Sequence, residues 1–92
     1  MNIGATISEE DATIIKGSLR RELALSEMKE KLLVEEIEEF EQKYGLSSGK
    51  FKELFEHGEF GDDQDYFEWW GLIRGLETTR RQIDKIKVVL SH

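Results

Sequence analysis

The chain contains no proline, and its apolar side chains return at steps of three and four residues along most of its length. That combination constrains the fold more than any other feature. A three-to-four step lines side chains along one face of an α-helix, and proline is the residue that most often breaks one. The clearest run is Leu25, Met28 and Leu32, then Leu33, Ile37, Phe40 and Tyr44, with Glu35, Glu36, Glu38 and Glu39 between them. It predicts a long amphipathic helix with an acidic outer face. Gly45 follows where a left-handed residue would close it.

Upstream, Ser8 followed by Glu9, Glu10 and Asp11 predicts a helix N-terminus: a hydroxyl cap, then acids near the positive end of the dipole. Ala12, Ile15 and Leu19 continue a helical step, and Gly17-Ser18 leave two outcomes open, a break or one longer helix. The domain expectation is therefore an N-terminal segment over 1–18, flexible or a short helix, and a single helical domain over 19–92. Ile3, Ala5 and Ile7 alternate as a very short strand would, although fraying is the commoner state of a terminus.

Downstream, Ser47 is placed to cap a short helix, with Leu46 packing on Phe51 as a hydrophobic staple. Phe51, Leu54 and Phe55 form its apolar face and Gly58 ends it. Glu59 to Gln64 reads as a loop. Asp65 with Glu68 predicts a capping box for a last helix reaching Leu90, in which Trp69, Leu72, Leu76, Ile83, Ile86 and Leu90 keep heptad-like spacing interrupted by Thr79. The expected fold is all-α: two long amphipathic helices joined through a short one, forming an antiparallel hairpin or small bundle, with dimerisation as a possible completion.

At 92 residues the chain is at most one domain of ordinary size, and a domain this short gains from a second copy or a partner. It has no cysteine, which removes disulfides and thiolate metal sites and fits a reducing compartment. No apolar run approaches the roughly 18 residues of a membrane span, and the N-terminus lacks the pattern of a signal peptide. The expectation is a cytoplasmic protein without membrane contact. Net charge is −7, unevenly spread: −1 over residues 1–26, −4 over 27–44, −5 over 45–70 and +3 over 71–92. An acidic chain is poorly suited to a polyanion, since nucleic-acid affinity rests on Lys and Arg displacing counterions. Its middle suits a basic protein partner, although the plainer reading is that these acids solvate helix faces.

Catalytic groups are sparse. His57 falls in the last turn of the short helix, where a structural role is favoured, and His92 is terminal. No enzyme activity and no cofactor are expected. Asp62, Asp63, Asp65 and Glu68 invite a metal reading, but Asp63-Gln64-Asp65 is followed by Tyr66, Phe67 and Glu68, which breaks the alternating ligands and central glycine of an EF-hand loop, so capping and solvation are expected instead. Gly71 and Gly75, four apart, point either to a close approach by another element or to a kink. Arg74, Arg80, Arg81, Lys85 and Lys87 make the last helix basic, and pairing with acids of the long helix is favoured over nucleic-acid contact.

Aromatic density is the most informative local feature: Phe60, Tyr66, Phe67, Trp69 and Trp70 fall within eleven residues. Neighbours on a helix point about 100° apart, so the two tryptophans cannot share a face. Trp69 runs on into Leu72 and Leu76, while Tyr66, Trp70 and Ile73 form a second stripe. That stripe either serves a partner, as Trp and Tyr do at binding hot spots, or is covered by Phe51 and Phe55 of the short helix. The partner reading assigns Phe60, Asp62, Asp63, Asp65, Tyr66, Glu68, Trp70 and Ile73 to a binding surface.

The string Tyr44-Gly45-Leu46-Ser47, then Phe51 and Phe55, then Gly58-Glu59-Phe60-Gly61-Asp62-Asp63 with Asp65-Tyr66-Phe67-Glu68-Trp69, resembles antitoxins of the TumA type, small prokaryotic proteins encoded beside a toxin of ribonuclease character. The resemblance covers roughly residues 30–90 and is strongest over 58–69, whereas Gly49 stands where an acid would complete the short helix's cap. It implies a protein-binding module that neutralises a basic partner, Asp62, Asp63, Asp65 and Glu68 steering and pairing while Tyr66 and Trp70 anchor. Two other classes remain open: a DNA-binding regulator acting on its own operon, and a homodimeric helical bundle of structural role. Against the regulator, the short helix carries Glu53 and Glu56 and has only Lys50 and Lys52 to meet phosphate.

Overall fold

The computed structural model describes residues 8–92, so the strand-like alternation at Ile3, Ala5 and Ile7 lies outside the described residues. Within them are three helices and no strand: α1 (Glu9–Tyr44), α2 (Ser48–Glu56) and α3 (Gln64–Leu90).

α1 starts where the sequence predicts. The Ser8 side chain accepts from the Asp11 N–H, and the Asp11 carboxylate accepts from the Ser8 N–H, so two otherwise orphaned donors are satisfied reciprocally. The helix then passes through Gly17 and Ser18 without interruption, and the expected boundary between 18 and 19 falls inside it. One glycine costs only about 1 kcal/mol in a helix interior, too little to break a helix that is capped at Ser8 and continues beyond Gly17 to Tyr44. Gly45 closes α1 at φ 61°, its N–H donating to the Glu41 carbonyl at 2.8 Å. Three residues later α2 begins, with Ser47 as cap. Gly58, at φ 74°, turns the chain out of α2, and the Glu59 N–H returns to the Leu54 carbonyl at 3.0 Å.

The start of α3 corrects the expected capping box. Asp63 is the cap, its carboxylate accepting from the Asp65 N–H at 2.8 Å, and the helix opens at Gln64. Asp65 is drawn elsewhere, to Lys43 Nζ and the Tyr44 hydroxyl at 2.6 Å each.

α1 and α3 pack against each other. Lys43 meets Asp65 near one end, while Glu30 meets Arg80 at 3.0 Å farther along, so numbering falls on α1 as it rises on α3. The inward face of α3 is the heptad line of Trp69, Leu72, Leu76, Thr79, Ile83, Ile86 and Leu90, every member of it buried or half-buried. Thr79 does not interrupt this line. It is 1% exposed and its hydroxyl donates to the Gly75 carbonyl at 2.8 Å, which removes the polar penalty of burial.

On α1 the inward line is Leu23, Ser26, Glu30, Leu33, Ile37, Phe40 and Tyr44. This divides the run read from the sequence. Leu33 to Tyr44 face α3, whereas Leu25, Met28 and Leu32 are 60% or more exposed. The step from Leu32 to Leu33 is one residue, or about 100° of helix, so the run joins two different faces.

Candidate protein-binding surface

The core is aromatic and gathers where α2 folds across the ends of α1 and α3. Trp69 and Phe51, both fully buried, stack at 3.8 Å between ring centroids and 4° between planes. Phe40 and Tyr44 of α1 lie near-parallel to Trp69 at 5.8 and 5.7 Å. Phe60 meets Phe51 and Tyr66 edge-on at 5.1 and 4.9 Å.

Polar ties hold α2 in this position. Its first residue, Ser48, donates its N–H to Glu41 of α1 at 2.9 Å, and its hydroxyl oxygen accepts from the Trp69 indole N–H at 2.9 Å. Lys52 pairs with Glu77 at 2.9 Å, and the Trp70 indole N–H donates to Glu56 at 3.0 Å. The Lys52 hydrogen bond holds the Glu77 carboxyl below its usual range.

The residues expected to meet a partner are therefore distributed unequally. Ile73 belongs to the core at 8% exposure and cannot serve as a contact, because the same i, i+4 step that aligns it with Trp69 turns both toward α1. Phe60 and Tyr66 are half-buried in the aromatic cluster. Trp70 is half-buried too, with Phe55 at 6.0 Å and the Arg74 guanidinium 5.6 Å from its ring. Asp65 is tied down: hydrogen bonds from Lys43 and then Tyr44 lower its carboxyl pKa, while the same contacts raise both Lys43 and Tyr44. Asp62, Asp63 and Glu68 are open to solvent.

Phe67 was absent from the expected surface, yet it is 52% exposed, with one edge against Phe55 at 5.2 Å. Its position in the sequence gave a usable signal, since it lies two residues from Trp69 and so about 200° around the helix. From Glu53 to Ile73 the chain carries seven carboxylates and neither Lys nor Arg. This end of the molecule sets those carboxylates around an aromatic cluster with Phe67 at its surface, flanked by Lys43 paired with Asp65, Lys52 paired with Glu77, and Arg74 over the Trp70 ring.

His57 is exposed, its Nδ1 lying 2.6 Å from the Glu53 carbonyl at the end of α2. Among the described residues no three His, Asp or Glu side chains converge as a metal site would need, and no helix is long and apolar enough to cross a membrane. Of the basic residues on α3, Arg80 pairs with α1 through Glu30, whereas Arg74 lies 4.0 Å from Glu77 on its own helix. A Cβ at Gly71 would meet nothing within 4 Å, and one at Gly75 would sit 3.9 Å from Leu33, so neither glycine marks a forced approach and neither interrupts α3.

Comparison with family models, curated proteins and solved structures gives no match.

Proposed function

We propose that this chain is a protein-binding module of the antitoxin kind, which occupies a basic partner, of ribonuclease type, with its carboxylate-rich aromatic end. We read α1 and α3 as an antiparallel hairpin that carries this end, and the protein as a cytoplasmic one that acts by binding rather than catalysis. The observation that carries the reading is the stretch from Glu53 to Ile73, with seven carboxylates and no Lys or Arg, surrounding aromatic side chains of which Phe67 stands 52% exposed. Opposite charge speeds encounter and fixes register, and a central aromatic anchor supplies affinity. Asp62, Asp63 and Glu68 steer, and Phe67 with the accessible part of Trp70 anchors.

Co-purification from the native host, with identification of the bound protein, supplies the partner for the test. Titration of that protein should show Trp70→Ala and Phe67→Ala each weakening binding by about 2 kcal/mol. Changing Asp62 and Asp63 to Asn should slow association and flatten its salt dependence. Unchanged affinity in both aromatic variants removes this end from the interface.

A further inference from the structure

Away from the acidic end, α1 leaves a row of large apolar side chains open among the described residues. Ile14, Leu25, Met28 and Leu32 are 60 to 63% exposed. They belong to one line of alternating four- and three-residue steps: Ile14, Ser18, Arg21, Leu25, Met28, Leu32, Glu35, Glu39. Every member of that line is exposed, and the spacing is that of a coiled-coil seam.

The charges on the seam indicate what covers it. Arg21 sits toward one end and makes no ion pair among the described residues, its guanidinium donating only to the Ser18 hydroxyl at 3.1 Å. Glu35 and Glu39 occupy the other end, also without an ion pair among the described residues. A seam with an unpaired cation at one end and unpaired anions at the other complements itself only when reversed. Shape points the same way. The described chain has a radius of gyration of 18.5 Å, against about 12 Å for a compact domain of this length.

We propose that α1 pairs with α1 of a second copy of this chain, antiparallel, through Leu25, Met28 and Leu32. Crossing between Leu25 and Met28 sets Met28 of each copy on Leu25 of the other and brings Arg21 within a turn of the partner copy's acidic end. A parallel pairing would set Arg21 on Arg21 and Glu35 on Glu35.

Sedimentation equilibrium of the full chain tests this. The unaltered protein is expected to form dimers. Leu25→Glu with Met28→Glu should weaken self-association about 100-fold while far-ultraviolet circular dichroism stays helical, because both side chains are already exposed. Arg21→Glu alone should weaken it about tenfold, and adding Glu35→Lys and Glu39→Lys in the same chain should restore it. A monomer at all concentrations overturns the proposal, as does a Leu25→Glu/Met28→Glu variant that stays dimeric. An Arg21→Glu variant with unchanged association also overturns it, since in a parallel dimer like faces like before and after the change.

Discussion

Phe51 lies flat on Trp69, and both are sealed from solvent at the point where the three helices meet. Removing a buried aromatic ring costs about 3–5 kcal/mol, while small domains are stable by only about 5–15 kcal/mol. Phe51→Ala is therefore expected to bring the protein close to unfolding, read as a large fall in the urea midpoint. Asp65 carries a prediction of a different kind. Its carboxyl pKa is lowered by Lys43 and Tyr44, so the stability it supplies is present above the ordinary carboxylate value of about 3.9 and is lost as pH falls through its depressed folded value. Lys43 and Tyr44 are raised, so their contributions hold below their ordinary values of about 10 and are lost as pH climbs through the raised ones. Asp65→Asn should remove both dependences and bring the Tyr44 phenol down toward its ordinary titration, followed by ultraviolet absorbance. A Tyr44 titration that does not move would show that the contact is not formed in solution.

At the scale of elements, α1 and α3 owe their length to continuity through glycine. Neither Gly17 nor Gly71 adopts a positive φ, and a Cβ at either position has room, the nearest atom to Gly17 being Arg21 Nη1 at 3.8 Å. Gly17→Ala and Gly71→Ala should each stabilise the protein by about 0.5–1 kcal/mol, measured by chemical denaturation. Destabilisation by Gly71→Ala would imply a close neighbour absent from the lone chain. α2 depends on its ties instead, because an isolated helix of nine residues is below the length that persists in water. Its stability comes from the ring of Phe51 and from Ser48, Lys52 and Glu56, which all link it to α3, Ser48 reaching α1 as well through Glu41.

For the whole molecule, the governing fact is elongation. The longest extent is 55 Å, which is the length of α1 alone at about 1.5 Å per residue. α3 has 27 residues against 36, and their aligned pairs place the end of α3 opposite about residue 19 of α1. The first turns of α1 thus stand without α3 beside them. Amide hydrogen exchange should be fastest there and slowest around Ile37, Trp69 and Ile73. If α1 pairs with a second copy, protection over residues 14–32 should rise with protein concentration, and concentration-independent exchange would argue against that pairing.

The two ends of α1 and of α2 were legible because they are local, whereas the cap of α3 is Asp63 rather than Asp65 and no boundary falls between 18 and 19. A hydroxyl followed by acids at Ser8, glycines at 45 and 58, and Ser47 before an apolar turn each act within a few residues of chain. The all-helical class was legible too, from periodicity and the absence of proline. Which of two adjacent stripes turns inward was not. On α1 the sequence offers Leu25–Met28–Leu32 and Leu33–Ile37–Phe40 as one run, and only the register against α3 sends the second inward and leaves the first exposed. The same holds for Ile73, which joins Trp69 in the core, and for Asp65, which leaves its capping role because Lys43 and Tyr44, more than twenty residues away, offer it hydrogen bonds. Local hydrogen bonding and helical period are set by neighbours along the chain, whereas the choice of a buried face is a contest between distant surfaces and is decided only when the helices meet.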